Sequence, residues 1–183
     1  EGYPWFIVLL ARESKQQGKA PDNLAQAIEW VLGSKFEPDV EVLRKNRRRA
    51  LIAATLTSGL GWDDLPEDDK QALASAVCLP SWIKLRDIAD DCLKRGLLRR
   101  REDWLYKYIT PAVLEREIMK AHFGPDGTDP GGKNLARYGK RYIDRFVETL
   151  SSLGLPRELL SGVAEIILGD VVQATGWADM VEM

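Results

Sequence analysis

Residues 85–111 read LRDIADDCLKRGLLRRREDWLYKYITP, and this stretch decides the fold. Its first part follows a helical pattern, because apolar residues recur every three or four positions and therefore share one helix face. Gly96 ends that pattern, since a glycine just past a helix end can take the left-handed conformation that most residues avoid. The apolar positions of this predicted helix, which begins slightly earlier, are Trp82, Leu85, Ile88, Ala89, Cys92 and Leu93.

Two strand-like runs follow Gly96. Leu97-Leu98 is apolar, residues 99–103 are too charged to be buried, and residues 104–109 return with aromatic and branched side chains. Thr110-Pro111 then supplies a favourable N-cap and a favourable first residue for another helix. Helix, strand, charged turn, strand and helix in this order predict a winged helix with the charged turn as its wing.

The rest of the sequence is punctuated as helices, so the predicted fold class is mainly α with one small β-hairpin. Helices around Leu51 and Leu73 precede the one that ends at Leu93, and three helices before a hairpin is the winged-helix order. The other predicted helices are a buried one from Pro4 that fades near Gly18, one opened by Pro21 and Asp22 and closed by Gly33, one from Asp39 to Gly59 or two joined near Asn46, one from Pro66 to Cys78, one from Pro111 to Phe123, and two from about Asn134 to Leu153 and Arg157 to Ala174.

Composition limits the classes of protein. The chain is 45% hydrophobic and 30% charged with a formal net charge of −2, which is typical of a soluble globular protein. The longest apolar run, Trp5–Ala11, is far shorter than the roughly 20 residues that span a bilayer. No signal peptide is apparent, so a cytoplasmic location is the default expectation. An apolar run so close to Glu1 is a poor start for an independent protein, and we expect a fragment of a longer chain.

Candidates for catalysis are few. Cys78 and Cys92 fall on apolar faces of predicted helices, where buried thiols are the expected outcome, rather than a disulfide or a metal pair. His122 is the single histidine, so it supports neither a zinc site nor a catalytic base. Because no nucleophile and base, paired carboxylates or metal spacing can be assembled, we expect no catalytic residues, no metal site and no enzymatic activity in this fragment.

Residues 127–134, GTDPGGKN, come close to a phosphate-binding loop. The pattern requires a hydroxyl where Asn134 stands and a backbone donor where Pro130 has none. The segment before it is predicted as a helix, whereas a phosphate loop follows a strand. We therefore interpret these residues as a flexible linker between helices.

Gly2, Tyr3 and Pro4 form a Gly-x-Pro turn that opens a buried helix, and a small helical region and a winged helix follow it. This order resembles the signal-transduction ATPases with numerous domains, the AAA+-related STAND class. Residues 95–100, RGLLRR, followed by residues 108–111, YITP, look like the winged helices of bacterial members. The family's phosphate loop and its acidic magnesium-binding strand have no counterpart in this sequence. The histidine that some members place after the wing to contact a phosphate is also absent near Thr110.

The resemblance implies a regulatory module of a larger nucleotide-binding protein. It implies a helical lid at residues 1–45, a winged-helix domain at residues 46–123 and a C-terminal helical segment at residues 124–183. The adenine of ATP or ADP would lie against the Gly2, Tyr3 and Pro4 turn, with magnesium held by an ATPase core upstream in the same polypeptide. Exchange or hydrolysis would move the module and alter self-assembly through protein contacts, while the fragment alone would hold no cofactor.

A DNA-binding winged helix of a transcription regulator is the competing hypothesis. The wing residues Arg99, Arg100 and Arg101 could contact phosphates, with Arg47 and Arg48 of a second basic cluster, Arg44 to Arg49, beside them. Against this, the helix that would enter the major groove carries three aspartates on its polar face. The net charge of −2 also provides no attractive field for a polyanion. Those aspartates are Asp87, Asp90 and Asp91.

Overall fold

The structure is a computed structural model, and it describes residues 4–56, 66–100, 107–109 and 112–138. Within these ranges the chain is mainly α-helical, as the sequence predicts. The elements are α1 Pro4–Gln17, α2 Leu24–Leu32, α3 Val40–Leu56, α4 Glu67–Ala76, α5 Trp82–Lys94, β1 Leu98–Arg100, β2 Lys107–Ile109, α6 Ala112–Phe123, a 3-10 turn Pro130–Gly132 and α7 Lys133–Tyr138. The predicted residues Thr110-Pro111, the wing tip from Arg101 and the C-terminal helices beyond Tyr138 lie outside the described residues.

Helix α5 confirms the predicted amphipathic helix and its stop at Gly96. The Ser81 side chain caps its N-terminus by accepting a hydrogen bond from the Lys84 amide. At the other end the Gly96 amide donates to Leu93 O at 3.0 Å and the Leu97 amide donates to Cys92 O at 2.9 Å. Gly96 adopts a φ of +78°, so this is a Schellman ending that a residue with a Cβ would strain.

The chain leaves α5 into two short strands that pair antiparallel. Leu98 lies opposite Ile109 and Arg100 lies opposite Lys107. Leu97 and Leu98 are both buried, which anchors the start of β1 in the core. The polar backbone groups of these residues are thereby paired across strands close to the apolar face of α5.

Helix α3 is the centre of the core and packs against α2, α5 and α6. Its predicted apolar stripe is confirmed, because Leu51, Ile52 and Leu56 are essentially inaccessible to solvent. Burying one such side chain contributes about 2 kcal/mol relative to leaving it exposed. The helix is continuous through Asn46, so residues 45 and 46, between which the sequence predicts a boundary, lie in the same helix.

Near the N-terminus the structure modifies two expectations. Helix α1 begins at Pro4 and ends before Gly18 as predicted, but it is not buried throughout. Leu9 faces the core, whereas Ile7 is 60% and Val8 67% exposed. Helix α2 begins after Asn23, whose side chain accepts a hydrogen bond from the Gln26 amide at 2.9 Å. A side-chain cap at Asn23 therefore decides the start, rather than Pro21 and Asp22.

Helix α4 ends earlier than the sequence suggests. The Cys78 amide donates to Ser75 O and the Leu79 amide donates to Ala74 O, the same pattern as at Gly96. Cys78 has a φ of +61°, so it lies in the left-handed region after the helix and not on a helical face. It is half-buried, whereas Cys92 is buried, and both are free thiols.

None of the helices in the described ranges is long and apolar enough to cross a membrane.

Candidate functional site

Five charged side chains meet where α1, the loop after α2, α3 and the end of α5 come together. We call this set the ion-pair cluster. Salt bridges join all five side chains, which come from positions between residues 13 and 95. The cluster therefore connects residues of the predicted lid with residues of the predicted winged helix. Its members are Glu13, Glu37, Arg47, Asp91 and Arg95.

Arg47 is the centre of the cluster and its side chain is only 4% exposed. Its Nη2 and Nη1 donate to the two carboxylate oxygens of Glu37 at 2.8 and 3.1 Å, a bidentate arrangement. Its Nε donates to Asp91 Oδ2 at 2.7 Å. Its Nη1 also donates to Leu32 O at 2.7 Å, which satisfies a carbonyl at the end of α2. Such planar, charge-assisted recognition requires an arginine, and a lysine could not reproduce it.

Glu37 is held in place by backbone as well as by side chains. The Ser34 amide donates to Glu37 Oε2 at 2.7 Å, and Arg95 Nη1 donates to Glu37 Oε1 at 3.2 Å. The turn before it is tight, because a Cβ added at Gly33 would lie 3.0 Å from Val40 Cγ2. Arg44 closes the same turn by donating from Nε and Nη2 to Gly33 O.

The charges of the cluster stabilise one another. Burial alone would raise the pKa of Glu37, but hydrogen bonds from Arg47 and Ser34 and the charge of Arg95 outweigh it and lower that pKa. Burial alone would lower the pKa of Arg47, yet Glu37 and Asp91 raise it above its ordinary value. Both groups therefore stay ionised near neutral pH, so the contact is an ion pair and not a pair of neutral groups.

Arg95 and Glu13 are less completely paired. Arg95 Nη2 and Glu13 Oε1 are 3.9 Å apart, beyond hydrogen-bond distance. Arg95 Nε, Arg95 Nη2 and Glu13 Oε2 are buried without a hydrogen-bond partner. This edge of the cluster borders a cavity of about 400 Å³ between α1 and the end of α5.

Two of the predicted basic residues, Arg47 and Arg48, are paired with carboxylates of the chain itself. Arg47 is committed to the cluster, so the expectation that it contacts an external phosphate does not fit its burial. Arg48 pairs with Glu29 and is 16% exposed. Asp91, expected on the polar face of α5, points its carboxylate to Arg47. Arg99 and Arg100 form the second half of β1.

The predicted adenine-side residues are only partly described. Pro4 is the first residue of α1, in agreement with a helix-opening proline. Gly2 and Tyr3 lie outside the described residues, as does Arg101 of the wing. Their assignment therefore stays a prediction from the resemblance.

In residues 127–134, which come close to the phosphate-loop pattern, the carboxylate of Asp129 takes the place that a phosphate would have. Asp129 is 1% exposed and accepts hydrogen bonds from the Asn134 amide at 2.9 Å and the Leu135 amide at 3.1 Å. These donors lie at the N-terminus of α7, where a phosphate would otherwise bind. A Cβ on Gly127 would lie 2.1 Å from His122 O, so the turn is tightly packed and not a flexible linker. Helix α6 precedes it, as predicted.

His122 is fully buried, which its position near the end of an amphipathic helix did not indicate. Burial, together with the charges of Arg49, Arg48 and Lys45, lowers its pKa to about 3. Neither ring nitrogen has a hydrogen-bond partner, and the ring meets Phe123 edge-on at 4.6 Å. The buried imidazole is therefore neutral near neutral pH.

Sequence reasoning missed four of the five cluster residues. Arg47 lies 44 residues from Asp91, and Glu37 lies 58 residues from Arg95, so no local spacing connects them. Among the described residues no group of histidine, cysteine and carboxylate side chains could hold a metal ion. Comparisons with protein-family models, curated proteins and solved structures give no match to this chain.

Proposed function

We propose that this chain is the helical lid and winged-helix module of a larger STAND-type signalling NTPase, and that it transmits nucleotide state through protein contacts. The ion-pair cluster is the observation that carries the proposal. It connects the helix that starts at Pro4, on the proposed nucleotide side, with α5, the third helix of the proposed winged helix. A change at one end of such a connection would be felt at the other.

The order of elements supports the same assignment. Helices α3, α4 and α5 are followed by the antiparallel strands β1 and β2 and by α6. This is three helices and a two-stranded ribbon, the order of a winged helix. The winged helix is proposed on that order and on the register of Leu98 opposite Ile109.

The chemistry of the cluster suits a switch. A buried ion pair contributes little net stability over an apolar replacement, but removal of one partner leaves an uncompensated charge. The cluster therefore favours one arrangement of α3, α5 and the loop after α2 strongly over arrangements that separate Arg47 from Glu37 or Asp91. A nucleotide could shift the population only by binding one arrangement better than the other.

The DNA-binding alternative has less support at the basic cluster Arg44 to Arg49, which was its expected second phosphate contact. Arg47 is engaged by Glu37 and Asp91, and Arg44 and Arg48 are engaged by Glu41 and Glu29. A phosphate would have to displace these carboxylates. The test is fluorescence anisotropy with random duplex DNA at low salt. Binding that weakens steeply as salt rises would replace the proposed function with the DNA one.

The proposed function is tested in the longer protein it requires, with the segment before Glu1 included. ADP or ATP at about a hundred times its dissociation constant should stabilise that protein by roughly 2.7 kcal/mol, which a thermal melt detects. An unchanged melting temperature would contradict the nucleotide switch.

The route through the cluster is tested separately by amide hydrogen exchange in the same longer protein. Nucleotide should slow exchange in both α1 and α5 of the wild type, but only in α1 of Arg95→Met, because Arg95 carries the contact between Glu13 of α1 and the end of α5. Lys94→Met is the matched control, since Lys94 is an exposed residue of α5 outside the cluster. Equal slowing of α5 in all three proteins would rule out the cluster as the route.

A further inference from the structure

Helix α1 is joined to the rest of the fold over a small apolar area. Among the described elements it packs chiefly against α2, whereas α3 packs against α2, α4, α5 and α6. Leu9 is buried, and Phe6 and Leu10 are partly buried against the core. Ile7 and Val8 are exposed. Because apolar burial is the main force that holds a helix to a core, α1 is held less strongly than the central helices.

Polar atoms in the contact surface of α1 oppose its docking. Glu13 and Gln17 lie one helical turn apart, and the Glu13 side chain is 2% exposed. Glu13 Oε2 and Gln17 Nε2 are both buried without a hydrogen-bond partner in the described part of the chain. The ion pairs of Glu13 are long, 3.4 Å to Arg12 and 3.9 Å to Arg95. These buried polar atoms would gain hydrogen bonds from water if α1 moved away.

The neighbouring elements have stabilising contacts of their own. The short hydrogen bonds of the ion-pair cluster join Glu37 to Arg47 and Arg95, three residues outside α1. The start of α2 is capped by the Asn23 side chain. Between the two helices, Gly18 has a φ of +73° and open space around it, so the chain can turn there without a steric clash. The remainder of the fold therefore keeps its main contacts when α1 separates.

We propose that α1 is a detachable element, which separates from α2 by a change of conformation at Gly18 while α2, α3 and α5 stay folded. The docked form hides the apolar side chains of Leu9 and its neighbours, and the detached form presents them to a partner. Detachment is a sub-global opening of the kind that switching elements use, and a partner shifts it only by binding one form better. The inference rests on packing and not on the proposed nucleotide switch, so either can fail without the other.

The test is native-state amide hydrogen exchange of the full chain, followed by NMR. After correction for intrinsic rates, amides of residues 9–14 in α1 should exchange at least about 100-fold faster than those of residues 50–55 in α3. Low concentrations of urea should accelerate exchange in α1 much less than in α3, because detachment exposes less surface than global unfolding. Equal protection and equal urea dependence in the two helices would overturn the proposal.

A mild core variant tests whether α1 opens independently. Ile118→Val removes one methyl group from a fully buried residue of α6. It should speed exchange in α3 about fivefold and leave α1 within about twofold of wild type, since α6 is folded in both the docked and the detached form. Fivefold faster exchange in both helices would mean that α1 opens only together with the core, and the proposal would fail.

A second variant tests the physical cause. Glu13→Leu should slow exchange in α1 about tenfold, because it replaces a buried, poorly paired carboxylate with an apolar side chain. Lys15→Leu is the matched control on the exposed face of α1 and should change exchange less than about twofold. Equal slowing in the two variants would assign the effect to helix propensity, and faster exchange in Glu13→Leu would show that Glu13 holds α1 in place. Either result would contradict the proposal.

Discussion

Helix α3 borders two regions that bury ionisable groups in opposite ways. On one side the ion-pair cluster keeps Arg47 charged by surrounding it with Glu37 and Asp91. On the other side, in what we call the histidine corner, His122 is buried near Arg49 without a partner and is kept neutral. The histidine corner consists of His122, Gly127, Asp129 and the facing Arg49. A buried ionisable group can thus be stabilised either by an ion-pair partner or by losing its charge. The first region should be sensitive to removal of a partner, and the second to a pH low enough to protonate the histidine.

The largest expected effect comes from removing Arg47, the central residue of the ion-pair cluster. Arg47→Met should lower the free energy of unfolding by about 3 kcal/mol, because the carboxylate of Glu37 loses its bidentate partner, Asp91 loses its ion pair and the carbonyl of Leu32 loses the Arg47 donor. Urea denaturation measures the change. Lys94→Met on the exposed face of α5 should stay within about 0.5 kcal/mol of wild type. Comparable losses in both variants would mean that Arg47 acts only as a surface charge.

The next effect addresses the packing of the histidine corner. Gly127→Ala should cost about 2 to 3 kcal/mol, because the added Cβ would lie 2.1 Å from His122 O and the backbone would have to move. Gly131→Ala is the control in the same loop, with open space but a φ of +68°. It should cost only about 1 kcal/mol of backbone strain. If the two substitutions cost the same in urea denaturation, the tight packing around His122 is wrong.

The histidine corner should make the fold less stable in mild acid. The pKa of His122 is lowered to about 3 in the folded chain, whereas an unfolded histidine titrates near its ordinary value of 6.5. The unfolded state therefore binds the proton first, and stability falls as the pH drops below about 6.5 and continues to fall toward pH 3. At pH 5 the loss should reach about 2 kcal/mol, which thermal or urea unfolding across pH detects.

His122→Leu should remove most of this loss between pH 6.5 and 5. The lowered pKa of Glu37 also makes the fold less stable in acid, but only below the ordinary carboxyl pKa of 4.5. Burial raises the pKa of Glu115, so that carboxyl acts in the opposite direction as the pH falls. An unchanged pH profile in His122→Leu would show that His122 is not the acid-sensitive group.

Much of the fold was accessible from local patterns. The stop of α5 at Gly96 and the buried stripe of α3 follow from spacing and from the conformational freedom of glycine, which act over a few residues. The end of α4 was less accessible, because Cys78 takes a left-handed conformation that its residue type does not favour. A side-chain cap at Asn23 likewise moved the start of α2.

The candidate site was accessible only in part. A run of arginines made Arg47 visible as a charged residue, but its burial depends on Glu37 and Asp91, which tertiary packing brings to it. Pairwise separations of 44 and 10 residues carry no periodic signal. The burial of His122 is equally non-local, because Gly127 and Asp129 fold back over the end of α6 through the Asp129 amide, which donates to His122 O at 3.0 Å.

The smallest expected effect compares the helix ends beside the two regions. Gly96 follows Arg95 of the ion-pair cluster, while Cys78 accepts a hydrogen bond from Asn134 Nδ2 next to the histidine corner. Both ends have the same backbone hydrogen bonds and a positive φ, but only one has glycine. Gly96→Ala should therefore destabilise the chain by about 1 kcal/mol. Cys78→Gly should stabilise it by about 0.5 kcal/mol, since relief of strain exceeds the added flexibility of the unfolded chain. If the free energy of unfolding, measured by urea denaturation, falls in Gly96→Ala and rises in Cys78→Gly, backbone strain distinguishes the two helix ends. If it falls in both variants, the Cys78 side chain contributes more by packing than its backbone conformation costs in strain.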